Sequence, residues 1–103
     1  MAKYVLYCKK KRAPYNALWE NSNFLGDNPR EWYSFSTSCY TVFYSPEEAE
    51  EHKQVLLDRI ARQIECYVEY LNQHDTLRGG IPANIKRSQE VYSLFDSLVV
   101  KAA

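Results

Sequence analysis

The stretch Ser45-Pro46-Glu47-Glu48-Ala49-Glu50-Glu51-His52 carries a complete signal for the start of an α-helix. The Ser45 hydroxyl can accept hydrogen bonds from the first free N–H groups, and Pro46 at the first helical position has no N–H that needs a partner. Glu48 is placed to accept the Ser45 N–H and so complete a capping box. The glutamates of the first two turns also suit the positive end of the helix dipole. This stretch therefore predicts a helix that begins at Pro46.

An apolar repeat with the period of an α-helix follows this start and extends the helix over about residues 46–73, a length of about 42 Å. Its apolar face is formed by Ala49, Leu56, Ile60, Ile64, Tyr67 and Leu71, flanked by Leu57, Ala61 and Val68. A second repeat predicts a helix over about residues 82–101, after the Gly79-Gly80 pair. Its stripe consists of Ile81, Ile85, Tyr92, Phe95 and Val99.

Alternation of apolar and aromatic residues predicts strands within about residues 3–44. The clearest are Lys3–Cys8 and Cys39–Tyr44, and weaker patterns lie at Tyr15–Glu20 and after Pro29. Three to four strands followed by two amphipathic helices predict an α+β fold, in which the helices pack on an antiparallel sheet. The 103 residues suit a single domain, 1–103.

The charge pattern, the lack of a long apolar run and the cysteines favour a cytoplasmic protein over a membrane or secreted one. The net charge is zero, but residues 1–12 carry five bases and no acid, whereas residues 46–75 carry eight acids and three bases. No apolar run approaches the roughly 20 residues of a membrane span, and the N-terminus lacks the apolar core of a signal peptide. We interpret the three cysteines as buried thiols of a protein in the reducing cytoplasm.

The residues that usually carry chemistry are sparse. Three glycines cannot build a phosphate-binding loop, and no close Cys/His pairs predict a metal site, so we expect neither cofactor nor metal. His52 and His74 are the only histidines, and no nucleophile elbow accompanies them. We expect a non-enzymatic protein, and a small hydrolase or nuclease that uses His52 or His74 is the least favoured alternative.

Nine tyrosines are more than a small core usually absorbs. Tyrosine is enriched at protein interfaces, because it buries a large area with few rotamers. We predict a protein-binding surface formed by Tyr40, Tyr44, Tyr67 and Tyr70. An equally weighted interpretation is that both sheet faces are covered and the tyrosines pack there. The far end of the long helix should overhang the sheet, where the second helix or another chain, such as a second copy in a homodimer, would cover it.

A nucleic-acid-binding module is the alternative function. The basic run after the first strand would contact phosphates, and nearby aromatic rings would stack on bases. The phosphate-binding residues would be Lys9, Lys10, Lys11 and Arg12, and the stacking residues Tyr7, Tyr15 and Trp19.

The strand Lys3-Tyr4-Val5-Leu6-Tyr7-Cys8, with the junction Thr41-Val42-Phe43-Tyr44-Ser45-Pro46-Glu47-Glu48-Ala49, resembles small phage and mobile-element accessory proteins over roughly the first sixty residues. The resemblance implies a non-enzymatic protein that binds and modulates a host or defence component. We therefore expect an interaction protein, of the kind that phages encode to inhibit a host or defence protein complex, including anti-CRISPR proteins.

Overall fold

Four strands and two helices make up the described part of the chain. The computed structural model describes residues 2–18, 33–73 and 83–103, without the side chain of Asn84. The elements are β1 (Tyr4–Cys8), β2 (Ala13–Ala17), β3 (Tyr33–Phe35), α1 (Pro46–Gln73), α2 (Ala83–Asp96) and β4 (Val99–Ala102). Strands and helices are segregated along most of the chain, and the predicted α+β fold is confirmed.

The sheet is antiparallel throughout, with the order β3-β2-β1-β4. β1 lies inside the sheet, which suits a strand with apolar residues on both faces: Leu6 and Val5 point in opposite directions and both are buried. The basic run 9–12 forms the turn of the β1–β2 hairpin, closed by the pair Cys8 and Ala13. Arg12 adopts a left-handed backbone conformation, with φ 55°, and this turns the chain into β2.

α1 has the bounds that its sequence predicts, Pro46–Gln73. The Glu48 N–H donates to Ser45 Oγ at 3.1 Å, as expected for the cap. The reciprocal bond differs from the prediction, because Glu48 Oε2 accepts from the Tyr44 N–H at 3.1 Å rather than from the Ser45 N–H. Phe43 donates its own N–H to the Tyr4 carbonyl, and Tyr44 supplies the next donor along the chain.

The segment Cys39–Tyr44 is not a strand, and this prediction is wrong. Its Thr41 N–H donates to the carbonyl of Tyr15 in β2 at 3.1 Å, whereas Phe43 exchanges two 2.8 Å hydrogen bonds with Tyr4 of β1. The segment thus crosses from one strand to the other and forms only an isolated bridge at Phe43. Its backbone groups form hydrogen bonds first with β2 and then with β1, so the segment does not pair along either strand.

The C-terminal helix is shorter than predicted, and its expected end is a strand. α2 ends at Asp96, and Val99–Ala102 form β4 along β1. Val99 and Val100 are β-branched, and the open edge of β1 gives their backbone groups partners that outweigh one more helical turn. One strand therefore follows the two helices.

The two weaker strand patterns also form strands, with shifted bounds. β2 begins at Ala13, two residues before the expected start, and ends at Ala17. β3 is limited to Tyr33–Phe35 within the described residues. Glu20 and Trp32, at the edges of the predicted strands, lie outside the described residues.

The hydrophobic core lies between the sheet and the helices. Its buried members are Leu6, Cys8, Tyr15, Phe43, Ala49, Leu56, Leu57, Ile60, Val91, Phe95 and Leu98. Tyr92, predicted to lie in the buried stripe of α2, is exposed, and Ser88 is buried in that helix instead. The protein measures 53 × 25 × 19 Å, and α1, about 42 Å long, can span most of its long axis. Neither described helix is both long enough and apolar enough to cross a membrane.

Candidate functional site

The turn between β1 and β2 and the helix α2 line the same cavity, which is open to solvent and has a volume of about 670 Å³. Lys10 and Lys11 form one side, and Arg87 of α2 lies on the same cavity although it is far away in sequence. We call this site the basic cavity. Its complete lining is Lys10, Lys11, Tyr33, Phe35, Arg87, Glu90, Val91 and Leu94.

Two aromatic rings of β3 give the basic cavity an apolar wall. The Tyr33 ring meets the Phe95 ring at 4.9 Å and the Phe35 ring at 5.5 Å, both edge to face. Edge-to-face contacts of this kind stabilise aromatic pairs and fix the direction of each ring. Tyr33 and Phe35 are half-buried, so the rings are held by the core while part of each remains accessible. The sequence offered no signal for this arrangement, because β3, the turn and α2 meet only in the fold.

The expected stacking role of Tyr15 does not fit its position. Tyr15 is 2% exposed, and its hydroxyl lies 3.2 Å from Nε2 of His52. Its ring also contacts the rings of His52 and Phe95, at 5.3 Å and 6.4 Å. A base cannot stack on a ring that is closed in by the core, so Tyr15 is a core residue in this structure.

Tyr7, a second predicted stacking residue, also lies away from the basic cavity. Tyr7 is half-buried on the opposite face of the sheet, where the ammonium group of Lys101 lies 4.2 Å from its ring centroid. Trp19 lies outside the described residues. Of the predicted nucleic-acid contacts, the structure brings Lys10 and Lys11 together with Arg87 and exposes Lys9 and Arg12 on the same turn.

The four tyrosines predicted to bind a partner do not form one surface. Tyr40 lies on the face of the sheet opposite the helices with Val5 and Lys101, in a depression of about 310 Å³. Tyr44 is 61% exposed at the start of α1, whereas Tyr67 and Tyr70 lie on its far half. Tyr67 lies 21 residues beyond Pro46, where the helix begins, which corresponds to about 32 Å of helix. Any single partner that contacts all four would have to extend along most of the molecule.

An apolar seam runs along the far half of α1. We define the distal seam as Ala61, Ile64, Val68 and Leu71, which continue the spacing of the buried Leu57 in steps of four and three residues. A groove of about 480 Å³ borders the seam between α1 and α2. Its lining is Ala61, Ile64, Glu65, Gln89, Tyr92 and Ser93. The sequence placed the four seam residues on the apolar face or its flank, but could not show that α2 leaves an open groove beside them.

The described His, Cys, Asp and Glu side chains do not form a metal-binding cluster. Among residues 2–18, 33–73 and 83–103, no group of three His, Cys, Asp or Glu side chains is placed to hold a metal ion. His52 packs between Tyr15 and Phe43, with ring centroids at 5.3 Å and 5.2 Å. His74 lies outside the described residues.

The cysteines differ from their predicted environment. Cys8 is buried, as expected, but Cys39 and Cys66 are exposed free thiols. Both were expected to be buried. Cys39 falls in the segment that crosses between two strands, and Cys66 lies on the outer side of α1, away from the core.

No protein-family model, curated protein or solved structure matches this chain. The resemblance of the strand-to-helix junction to phage accessory proteins therefore stays a prediction, and the function is argued from the geometry of the described residues.

Proposed function

We propose that this protein is a non-catalytic interaction protein, and that it binds an amphipathic helix of a protein partner along the distal seam. The observation that carries the proposal is that the apolar face of α1 extends beyond the core. Within the described residues of α1, Gln63 is the last buried one, yet the seam continues through Val68 and Leu71. Val68 is 38% exposed, which leaves an apolar surface for a partner to cover.

The spacing of the seam favours a helix as the occupant. Residues in steps of four and three lie on one stripe of a helix, and this is the pattern that knobs-into-holes packing requires. The groove beside the seam adds Tyr92 of α2 as an aromatic wall. Amphipathic helices bind such grooves through apolar anchors at helical spacing.

The charges around the seam select the chemistry of the partner. Four of the seven acids of α1 lie in its first two turns, and near the seam the exposed carboxylates Asp58, Glu65 and Glu69 outnumber the exposed cation Arg62. A partner helix with Lys or Arg beside its apolar stripe would complement them. A second copy of α1 would place the same carboxylates opposite one another, so we favour a different protein over a homodimer.

We further propose that the protein acts as an inhibitor and that it is located in the cytoplasm. A small protein that occupies a helix-binding surface of a host complex can inhibit that complex, which is the action expected of a phage-encoded inhibitor of a host or defence protein. The exposed thiols of Cys39 and Cys66 suit the reducing cytoplasm, where disulfides are rare. We propose the cytoplasm as its location for that reason.

Two matched variants test the seam. Val68→Arg puts a charge into the distal seam, whereas Val55→Arg makes the same change at an exposed position of α1, 48% exposed, outside the seam. Affinity purification from lysate of the source cells, followed by mass spectrometry, should recover the same protein with wild type and Val55→Arg and lose it with Val68→Arg. The recovered protein should then bind purified wild type at micromolar concentration.

Several outcomes would contradict the proposal. Equal recovery with both variants would remove the seam from the interaction, and recovery of no partner at micromolar concentration would count against an interaction protein. Light scattering that shows a wild-type dimer, converted to a monomer by Val68→Arg, would assign the seam to a second copy instead.

A nucleic-acid-binding module remains the second candidate, because Arg87 joins the basic turn in the folded protein. Replacement of Lys9, Lys10, Lys11 and Arg12 by Ala should then weaken binding to single-stranded DNA or RNA. Binding should also fall steeply with salt, since phosphate contacts release counterions. Absent or salt-insensitive binding in a fluorescence anisotropy titration would exclude this candidate.

A further inference from the structure

We propose that the basic cavity is a binding site for a nucleoside phosphate, either as a free nucleotide or as a unit of a nucleic acid. This site is independent of the distal seam. The two surfaces use different sides of α2: Arg87 and Val91 line the basic cavity, whereas Gln89 and Tyr92 line the groove beside the seam. The proposal for this site therefore does not depend on whether a protein partner binds the distal seam.

The cations of the cavity account for the phosphate. Lys10 and Lys11 reach it from the β1–β2 turn, and Arg87 reaches it from the second turn of α2. Arginine offers a planar fork of donors that matches phosphate oxygens, and lysine adds a mobile point charge. The fold thus collects three cations around one cavity in a chain whose net charge is zero.

The aromatic and aliphatic wall accounts for the base. Tyr33 and Phe35 present half-buried rings whose directions are set by edge-to-face contacts, and Val91 and Leu94 add apolar surface. Stacking of a nucleobase on such rings tolerates different bases, because every base has a π-face. The volume of about 670 Å³ lies within the roughly 300–1,000 Å³ of ordinary ligand sites.

Glu90 favours binding of a nucleoside phosphate over binding of a simpler anion. Glu90 lines the same cavity, and its negative charge repels a bare phosphate or another compact anion. It can accept hydrogen bonds from ribose hydroxyls or from an amino group on a base. A ligand that combines phosphate, sugar and base therefore satisfies all three kinds of lining group, whereas phosphate alone satisfies one.

Neighbouring positions in the sequence supply matched controls. Arg87→Gln removes a cation that lines the cavity, whereas Lys86→Gln removes the adjacent exposed cation that does not. Adenosine 5′-monophosphate is titrated by calorimetry and by amide chemical shifts. The wild-type protein and Lys86→Gln should bind with the same dissociation constant, and Arg87→Gln should bind about tenfold more weakly, as expected for loss of one charge-assisted hydrogen bond. Amide shifts should centre on Lys10, Lys11, Tyr33 and Arg87.

Other probes show which part of the ligand contributes to affinity, and whether the ligand is a free nucleotide or a unit of a nucleic acid. Adenosine and inorganic phosphate should each bind at least tenfold more weakly than the monophosphate. A 5′-phosphorylated ten-residue DNA or RNA strand that binds more tightly, with the same sensitivity to Arg87→Gln, would identify nucleic acid as the source. Equal binding of strand and monophosphate would identify the free nucleotide.

The proposal is overturned if the monophosphate fails to bind at millimolar concentration, or if adenosine or phosphate alone binds as well. It is also overturned if Lys86→Gln weakens binding as much as Arg87→Gln. Strand binding that depends on Lys9 and Arg12 but not on Arg87 would support the basic turn as a nucleic-acid contact and exclude the cavity.

Discussion

The two halves of α1 differ in what they contact, although one continuous apolar pattern runs through both. In residues 46–60, Leu56, Leu57 and Ile60 are buried against the sheet and α2. In residues 61–73, the apolar side chains Ile64 and Leu71 are only half-buried, and Val68 and Tyr70 are exposed. The first half belongs to the core. The second half still contacts the core through Ile64 at its start, and it carries the distal seam.

This difference shows that helical periodicity reports a capacity to bury surface, and that the fold decides how much of it is used. The sheet is only as long as its strands of three to five residues, which extend about 10–17 Å, whereas α1 extends about 42 Å. A helix of that length cannot be covered by such a sheet alone. The surplus apolar surface is the physical basis of the proposed partner site.

The largest expected effect comes from truncating one apolar side chain in each half. Ile60 is completely buried, so Ile60→Ala should lower the free energy of unfolding by about 2–5 kcal/mol through lost burial and a cavity. Val68→Ala should change it by no more than about 0.5 kcal/mol, as for other exposed positions. Urea denaturation followed by circular dichroism measures both values. Equal losses at the two positions would show that the distal half is packed as tightly as the core.

Local signals predicted α1 well because they act within a few residues. The cap at Ser45, the proline at the first helical position and the apolar repeat all favour the same element, and its bounds are those of the prediction. β1 was predictable for a similar reason, since apolar residues on both faces indicate an internal strand.

The sequence-based predictions are wrong where contacts between residues distant in sequence determine the structure. Cys39–Tyr44 has the composition of a strand, but Thr41 and Phe43 bond to different strands. Val99 fits the predicted apolar stripe of the second helix, yet pairing with the open edge of β1 makes Val99 and Val100 part of a strand. The basic cavity could not be predicted either, because Arg87 and Lys10 come to line the same cavity only when α2 packs beside the hairpin.

A medium effect is expected from the cap that starts the first half of α1. Ser45→Ala removes the acceptor of the Glu48 N–H and should lower the free energy of unfolding by about 1 kcal/mol. Binding of a protein partner at the distal seam should be unchanged, since the seam begins more than ten residues later. Thr37→Ala, at an exposed position outside the helix, serves as the control. Loss of partner binding without loss of stability would show that the start of α1 is part of the interface.

The smallest effect concerns the contact that ties the first half of α1 to the sheet. The Tyr15 hydroxyl lies 3.2 Å from His52 Nε2, and Tyr15→Phe keeps the ring packing while removing this hydrogen bond. The expected loss is about 0.5–1 kcal/mol, because His52 is only half-buried and water can replace the hydroxyl. Tyr44→Phe makes the same change at a side chain 61% exposed and should leave stability unchanged within error. A loss above about 3 kcal/mol for Tyr15→Phe would show that water does not replace the hydroxyl and that His52 is left with an unsatisfied buried group.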